Sequence, residues 1–334
     1  MQKEKYLSQT HEIRPSAKGR EGFRTEMKRF MRTVLVAILA LSMMMLGGCG
    51  SGDENAGNSG SSGSGSTGTP TGVTSQAIHV VSREDGSGTR SAFVELFDVR
   101  VADANGKPVD ATTNDAIITN STSVTLTTVA NDPAAIGYIS LGSMNDSVRA
   151  LDINGVAATT ANVKTGVYVI QRDFNIATLG EVSAAAQDFI NFIMSAEGQK
   201  VIEDNHYIAV NENAKPFVSN NASGKVVVGG SSSVSPVMEK LVEAYATANP
   251  KVAIEIQTSD SSVGMSSTIE GILEIGMASR ELKDSELASG LVPTTIAIDG
   301  LAVIVNNDNA ITGLSVEQVR SIFLGETTNW ADLS

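Results

Sequence analysis

The sequence predicts an α/β protein, and three observations support this fold class. Residues 225–230, 252–257 and 273–278 are strand-like apolar runs, and the segments between them carry apolar residues at helical spacing. A glycine-rich turn after residue 83 also joins an apolar run to a helical segment. The chain has 334 residues, enough for more than one hydrophobic core. Strands that alternate with helices in this way indicate parallel βαβ units.

Composition and charge narrow the class of protein. Hydrophobic residues make up 41% of the chain and charged residues 18%, as in folded globular proteins. The net charge of −13 argues against nucleic acid as a partner.

The N-terminal segment resembles a bacterial lipoprotein signal. Basic residues at 27–32 precede an apolar run at 33–46 that is short for a membrane span, and the run ends in Leu-Gly-Gly-Cys49. This resembles a lipobox, so we expect a signal peptide at 1–48 with its natural start at Met27, and lipidation of Cys49. The protein would then be secreted and lipid-anchored to the outer face of the cytoplasmic membrane; the alternative is a plain signal peptide with an incidental cysteine. Residues 49–75 are rich in Gly and Ser and predict a flexible linker.

Residues 83–90, Arg-Glu-Asp-Gly-Ser-Gly-Thr-Arg, predict an anion-binding loop, which we call the anion loop. It follows the apolar run 77–81 and precedes a helix, whose first N–H groups lack partners and lie at the positive end of the helix dipole. Gly88 permits close approach of the backbone, and Arg83 supplies a planar fork of donors. The alternative is an ordinary loop before a capped helix. No P-loop motif is present.

The remaining elements are predicted from periodicity and capping residues. We expect strands at 121–129, 135–142 and 148–153, helices at 182–203 (capped by Ser183), 237–248, 265–271 and 314–324 (capped by Ser315), and a long strand at 294–306 that crosses between lobes.

Four segments resemble the phosphate-binding proteins of phosphate ABC transporters. The string SREDGSGTRSAF resembles the family's second-lobe anion loop, AIGYISLG at 135–142 and the helix at 182–203 resemble later parts, and 225–334 resembles the family's opening half, from GSSSVSPVMEKL to GETTNW. The resemblance implies a type II-like periplasmic-binding-protein fold with two lobes, each a mostly parallel sheet flanked by helices, and the ligand in the cleft between them. It implies capture of inorganic phosphate for a membrane permease, with no enzymatic activity and no cofactor.

These segments stand in a circularly permuted order. The family order corresponds to 225–334 followed by 76–213, so the second lobe (lobe II) would comprise 76–171 with 302–334, and the first (lobe I) 172–301. Both ends of the folded part should then lie together on lobe II. The alternative is a fragment cut from a longer array.

The resemblance also implies the site residues. Lobe II would supply Arg83, Ser87, Gly88 and Thr89, and lobe I would supply Ser232, Ser233, Ser261 and Ser279. A serine on its own is more typical of a turn or a helix cap than of a binding site. Their joint occurrence at strand-to-helix turns favours a shared site.

The sequence departs from the family near Ser279. Many members carry an aspartate there, which accepts a hydrogen bond from a protonated phosphate oxygen and so rejects sulfate. Here Ser279 is followed by Arg280, so Arg280, Asp260 and Asp299 are further candidates for contact with the anion. Selectivity among tetrahedral oxyanions is therefore left open.

Two other function classes are the alternatives, an enzyme and a non-transport binding protein. A serine hydrolase would need a histidine in a recognisable elbow, and after residue 48 only His79 and His206 occur, neither in such a motif. Adjacent Glu84 and Asp85 are more typical of a cap or an arginine partner than of paired catalytic acids, and no His/Cys cluster predicts a metal site. A non-transport phosphate sensor or adhesin on the same fold is the second alternative.

Overall fold

The computed structural model describes residues 76–333. The predicted signal peptide, Met27, Cys49 and the linker at 49–75 lie outside the described residues. The strands are β1 His79–Arg83, β2 Arg100–Ala102, β3 Pro108–Asp110, β4 Ile117–Thr119, β5 Ala135–Ser140, β6 Val148–Ala150, β7 Asp152–Ile153, β8 Gln171–Leu179, β9 Ile208–Ala209, β10 Gly224–Ser231, β11 Val252–Ser259, β12 Ile275–Ala278, β13 Leu291–Asn306 and β14 Gly313–Leu314. The helices are α1 Gly88–Leu96, α2 Thr122–Ala130, α3 Thr160–Lys164, α4 Ala184–Ile193, α5 Ala196–Asp204, α6 Ser235–Ala248, α7 Ser261–Ile269, α8 Asp284–Ala288 and α9 Val316–Phe323.

One continuous path of strands runs through the main sheet in the order β11-β10-β12-β8-β13-β5-β1-β4. At one side β11, β10 and β12 are parallel, and at the other side β5, β1 and β4 are parallel. In the middle, β8 and β13 run antiparallel to their neighbours. Each side of the sheet consists of parallel strands with helical crossovers, and the antiparallel strands lie at the centre. The protein therefore has two α/β halves that are joined through the middle of the sheet.

Strand β13 connects the two halves. Its first part, Leu291–Gly300, pairs with β8, and its second part, from Leu301 on, pairs with β5 and β6. The predicted crossing strand at 294–306 is therefore confirmed, with its start three residues earlier. Its second part is buried throughout, as expected for a strand covered on both faces.

Each half has its own hydrophobic core. One core contains Phe93, Tyr138 and Phe323, and we call its half lobe II. The other contains Phe189 and Tyr245, and we call its half lobe I. Apart from Ile208, which packs into the lobe II core, and strand β13, which serves both, the residues of each core come from one half, so the halves can act as separate bodies joined by strands.

Residues near the two limits of the described chain lie side by side. The backbone N–H of Ile78 donates to the carbonyl of Thr328 at 2.8 Å, and that of Trp330 donates to Gln76 at 3.2 Å. The Trp330 ring is buried in the core of lobe II.

Three predictions of secondary structure are corrected. Residues 121–129, expected as a strand from their β-branched side chains, form α2, because the Ser121 side chain caps the helix by accepting from the Val124 N–H. The helix expected at 182–203 is two helices, since Ser195 caps a second start. The helix expected at 265–271 begins at Ser261, where Asp260 is the cap.

The caps at Ser183 and Ser315 are confirmed. Within residues 76–333, no helix is long and apolar enough to cross a membrane.

Candidate anion-binding site

The anion loop joins β1 to α1 as the sequence predicts. Ser87 is extended and caps α1, accepting from the Arg90 N–H at 3.3 Å, so Gly88 and Thr89 form the first turn of the helix. Ser87, Gly88 and Thr89 are all buried. The Ser87 N–H donates to the Glu84 carbonyl at 3.0 Å, whereas the N–H groups of Gly88 and Thr89, in the first turn of α1, are available to a buried anion.

Aromatic packing beneath the anion loop fixes its position. The ring of Phe93 in α1 stacks on Tyr138 in β5, with 3.9 Å between ring centroids. The Tyr138 hydroxyl pairs with Ser82 Oγ at 2.8 Å and accepts from the Arg83 N–H at 3.2 Å. Burial raises the pKa of Tyr138 to about 12, so this hydroxyl keeps its proton.

Arg83 is held on two sides at the end of β1. Its side chain is 2% exposed, and its Nε and Nη2 donate to the two carboxylate oxygens of Glu84 at 2.8 and 2.7 Å. Nη2 also donates to Ser232 Oγ of lobe I at 3.1 Å. Asp85 pairs with Arg90 at 2.9 Å. The interpretation of Glu84 and Asp85 as arginine partners is thus confirmed, and Glu84 leaves the Nη1 side of the guanidinium for an anion.

The serine turn at the end of β10 faces the anion loop across the cleft. Ser233 Oγ lies 2.7 Å from Thr89 Oγ1 and 3.1 Å from Thr122 Oγ1, both in lobe II. Ser232 Oγ accepts from the Thr122 N–H at 3.4 Å. Thr122, at the start of α2, was missed because 121–129 was interpreted as a strand. The Ser121-Thr122 pair was the available signal, since such residues often start helices.

Ser261 and Ser279 complete the lobe I side. Ser261 Oγ accepts from the Ser279 N–H at 3.2 Å, and Ser279 Oγ accepts from Ser231 at 2.9 Å. Both lie against Gly88: a Cβ at that glycine would collide with Ser261 Oγ and come within 2.7 Å of Ser279 Oγ. The two lobes therefore meet at the backbone of the anion loop.

The structure brings together all eight residues that the sequence assigned with greatest weight. Seven of them are connected or in contact across the cleft, from Arg83, Gly88 and Thr89 on lobe II to Ser232, Ser233, Ser261 and Ser279 on lobe I. The N-termini of α1, α2, α6 and α7 converge on this place, two from each lobe. Converging N–H groups, hydroxyls and an arginine form an arrangement suited to an oxyanion.

Two of the three further candidates also line the cleft. Asp260 caps α7, accepting from the Val263 N–H at 2.8 Å, and its carboxylate lies against Gly86 of the anion loop. Arg280 lies beside Gly88, because a Cβ placed on this glycine would be 3.2 Å from Arg280 Cγ. Its Nη1 and Nη2 donate to the Glu286 carboxylate at 2.9 and 2.8 Å.

Asp299, the third candidate, is engaged on the crossing strand β13. Its carboxylate accepts from Arg172 Nε and Nη2 at 3.1 and 3.0 Å and from Ser140 Oγ at 2.8 Å. Burial raises the pKa of Asp299 and lowers that of Arg172, while the ion pair between them favours both charged forms. Arg172 was not anticipated, because β8 was not predicted. This pair ties β8 to β13 where the lobes join.

Neither histidine lies in a catalytic arrangement. His79 is exposed and its Nδ1 lies 2.7 Å from an Asp132 carboxylate oxygen, and His206 occupies a turn with φ of 68°. Among residues 76–333, no group of His, Cys, Asp and Glu side chains could hold a metal ion.

The fold and the shared cleft define a two-lobed α/β binding protein. A family model described as the PBP superfamily domain matches residues 65–197 and 216–334. Phosphate-binding protein PstS 2 of Streptococcus agalactiae is 54% identical over 258 residues, which cover 77% of this chain and 88% of the relative. The chain belongs to the PBP superfamily and, within it, to the family of phosphate-binding proteins represented by this relative.

A solved structure supports the same assignment. The crystal structure of a phosphate-binding protein of a phosphate ABC transporter from Streptococcus pneumoniae matches with a TM-score of 0.62 and 44% identity, over 78% of this chain and 100% of that one. The predicted two-lobe fold is thereby confirmed. A phosphate-binding protein of Bacillus subtilis is 33% identical, but over only 46% of this chain and 48% of its own length.

Proposed function

We propose that this protein captures inorganic phosphate in the cleft between its lobes and delivers it to the permease of an ABC transporter. The observation that carries the proposal is the set of donors contributed by both lobes at one buried place. Arg83 reaches Ser232 at 3.1 Å, and Thr89 lies 2.7 Å from Ser233, so donors of the two lobes surround the same point. The names of the relatives point to phosphate as the ligand.

The local donors are important because the global charge opposes anion binding. The chain that remains after removal of residues 1–48 has 15 basic and 33 acidic residues, a net charge of −18. An anion must therefore be attracted by fixed dipoles and one or two arginines over a short range. Each buried arginine at the cleft is matched by a carboxylate, Glu84 for Arg83 and Glu286 for Arg280. The charge of a bound anion would be dispersed over N–H and O–H groups.

Capture requires the lobes to open and close. Contacts between the lobes at the cleft are hydrogen bonds and small-residue contacts, including the Ser262 N–H donating to the Gly86 carbonyl at 3.2 Å. They can separate without breaking either hydrophobic core, with β8 and β13 as the connecting strands. The closed form would present both lobes to the permease. Lipid anchoring at Cys49 would keep the protein at the outer face of the membrane.

Calorimetric titration of the purified protein with phosphate tests this function. We expect saturable binding with one phosphate per chain. A folded protein that binds no phosphate would contradict phosphate capture and would favour the alternative of a sensor or adhesin for another ligand. Loss of phosphate uptake by cells lacking the protein, restored by the wild-type gene, distinguishes transport from a sensor role.

We further propose that the chain is a circular permutant, with lobe boundaries at 76–171 plus 302–334 and at 172–301. The adjacency of residues 76–78 to 328–330 supports this, as does the partition of the two cores. The Streptococcus agalactiae relative aligns over 258 residues and 88% of its length, whereas the Bacillus subtilis protein aligns over 156 residues and 48% of its length, as expected if the second protein has the two halves in the other order. A rearranged gene that encodes 225–333 followed by 76–224 should give a folded protein that binds phosphate; an unfolded product would contradict the permutation.

A further inference from the structure

Both connecting strands pass from one lobe to the other beside a single pair of residues. Arg172 on β8 lies opposite Asp299 on β13, and the ladder between the two strands ends with the next pair of residues. The following residue of β13, Leu301, is already paired with Ser140 of β5 in lobe II. Motions between lobes are taken up by a few residues at such places. Arg172 and Asp299, which we call the hinge pair, therefore lie where the lobes join.

The hinge pair is buried and bonded to lobe II. The side chains of Arg172 and Asp299 are 3% and 1% exposed, and Nε and Nη2 of the arginine donate to Asp299 Oδ2. The other carboxylate oxygen accepts from Ser140 Oγ at 2.8 Å and from the Gly142 N–H at 3.5 Å, both in lobe II. The ring of Tyr207, from the core of lobe I, packs on Gly142, where an added Cβ would collide with it. One carboxylate thus joins β8 and β13 to lobe II.

The remaining nitrogen of Arg172 reaches the turn after β12. Arg172 Nη1 donates to the Ser279 carbonyl at 3.4 Å, and Asn175 Nδ2, on the same strand, donates to the Arg280 carbonyl at 3.1 Å. Both carbonyls come after the last residue of β12, Ala278, so they have left the sheet ladder and need other donors. Side chains of β8 therefore hold the backbone of this turn.

The position of Ser279 matters because its side chain faces the anion loop. Its N–H donates to Ser261 Oγ at 3.2 Å, and its Oγ accepts from Ser231 Oγ at 2.9 Å. The same Oγ lies 3.5 Å from Thr89 Oγ1 and would be 2.7 Å from a Cβ at Gly88. A shift of about 1 Å would remove such contacts, since hydrogen bonds need heavy-atom separations of about 3 Å. The anion site thus depends on what holds the Ser279 backbone.

Stability alone does not explain an ion pair at this place. The cost of removing two charges from water offsets most of their attraction, and apolar residues of similar size often replace a buried pair without loss of stability. Apolar residues at 172 and 299 could therefore pack β8 against β13. They could not supply the planar fork of an arginine, which bonds at once to the carboxylate at the hinge and to a carbonyl of the binding turn.

We propose that Arg172 is a positioning residue for the anion: held by Asp299 at the hinge, it fixes Ser279 opposite the anion loop when the lobes close. The inference rests on the proposed function, because it assumes that the anion is bound in the closed cleft. Arg172 acts through Ser279 and does not itself contact the anion. Without this link the closed form is less stable, so a bound anion dissociates faster.

The first test replaces the whole hinge pair. Arg172→Met combined with Asp299→Leu leaves the net charge unchanged and leaves no buried charge unpaired. We expect thermal stability close to that of the wild type and phosphate dissociation about tenfold faster, measured by displacing radiolabelled phosphate with excess unlabelled phosphate. Wild-type dissociation from the folded double variant would overturn the proposal, because apolar packing would then replace everything that the pair does.

Arg172→Lys tests the same role without removing the charge. Lysine keeps a positive charge beside Asp299, but its single ammonium lacks the fork that reaches the Ser279 carbonyl as well. We expect a folded protein from which phosphate dissociates about threefold faster or more. An unchanged dissociation rate would show that a positive charge is sufficient at this position and would overturn the positioning role.

Arg149→Met is the matched control. Arg149 is a half-buried arginine on β6 in lobe II, and its Nη2 donates to the carbonyls of Asn309 and Ile311 at 2.6 and 2.8 Å. Its loss should lower thermal stability and leave phosphate dissociation unchanged. Equally fast dissociation from this control would assign the effect to general destabilisation and overturn the proposal. Absence of phosphate binding by the folded wild type would instead contradict the proposed function.

Discussion

At the scale of single residues, the cleft is built from short polar side chains that the protein itself orients. Glu84 fixes the guanidinium of Arg83, which in turn donates to Ser232 in the other lobe. Arg83 is therefore a contact between the lobes as well as the cation of the anion loop. Removing it affects both binding and closure.

Arg83→Ala should weaken phosphate binding by about 2–5 kcal/mol, because a buried charged partner of the anion is lost and Glu84 is left unpaired. Calorimetry measures the change, with Arg100→Ala as a control for loss of a positive charge outside the cleft. A dissociation constant that stays nearly unchanged would remove Arg83 from the site.

The sequence predicted the cleft residues that lie in glycine- and serine-rich turns, because those motifs follow strands and start helices. It did not reveal Thr122, Arg172 or Glu286 as parts of the cleft. Thr122 lies among β-branched residues, whose local preference favours a strand, whereas the Ser121 cap and tertiary packing give a helix. Arg172 pairs with Asp299, more than 100 residues away in the sequence, and Glu286 pairs with Arg280, six residues away. Hydrophobic periodicity does not reveal either pairing.

At the scale of elements, the segment between α5 and β10 is held in place by hydrogen bonds to one buried carboxylate, that of Asp188. Asp188 in α4 is fully buried and accepts hydrogen bonds from four donors: the Asn220 N–H, Ser219 Oγ, Tyr245 Oη and Asn249 Nδ2. Burial alone would raise the pKa of Asp188, but these donors outweigh it and hold the pKa below its usual value. The segment between α5 and β10 is thus tied to lobe I.

Asp188→Asn should decrease the free energy of unfolding by about 3 kcal/mol, because the amide brings its own donors against donors of the protein. The folded pKa of Asp188 lies below the unfolded value of about 3.9. Its contribution is therefore complete above about pH 4 and is lost as the pH falls through the folded pKa. Urea unfolding across this range should show the difference between wild type and variant shrinking in acid.

Asp204→Asn is the control for this effect, since Asp204 is an exposed partner of Lys200 and should contribute less than about 1 kcal/mol. Equal effects of the two substitutions, or an Asp188→Asn difference that does not vary with pH, would contradict the role assigned to Asp188.

At the scale of the whole molecule, the two cores share strand β13, and the cleft lies where the lobes touch. The long crossing strand was predicted from its apolar run, but β8 was not. Its alternation is interrupted by polar residues such as Arg172 and Asn175, whose partners Asp299 and Thr295 lie on β13. The proposed permuted order rests on motifs alone and stays a prediction.

Gly88→Ala should prevent closure without unfolding either lobe. The new methyl group would collide with Ser261 and approach Ser279, both in lobe I, while the φ of Gly88 is not in the left-handed region. Small-angle scattering with saturating phosphate should show a more open particle than wild type, with phosphate affinity decreased. Ser91→Ala, later in the same helix, is the control. A variant that closes and binds as wild type does would contradict the proposed contact.

The most direct measurement for phosphate capture is a crystal structure of the protein grown with phosphate. We expect tetrahedral density between the lobes, within hydrogen-bonding distance of the anion loop, Arg83 and the serines of the turns after β10, β11 and β12. Density for phosphate at another place, or a closed cleft whose hydroxyls contact only each other in saturating phosphate, would contradict it.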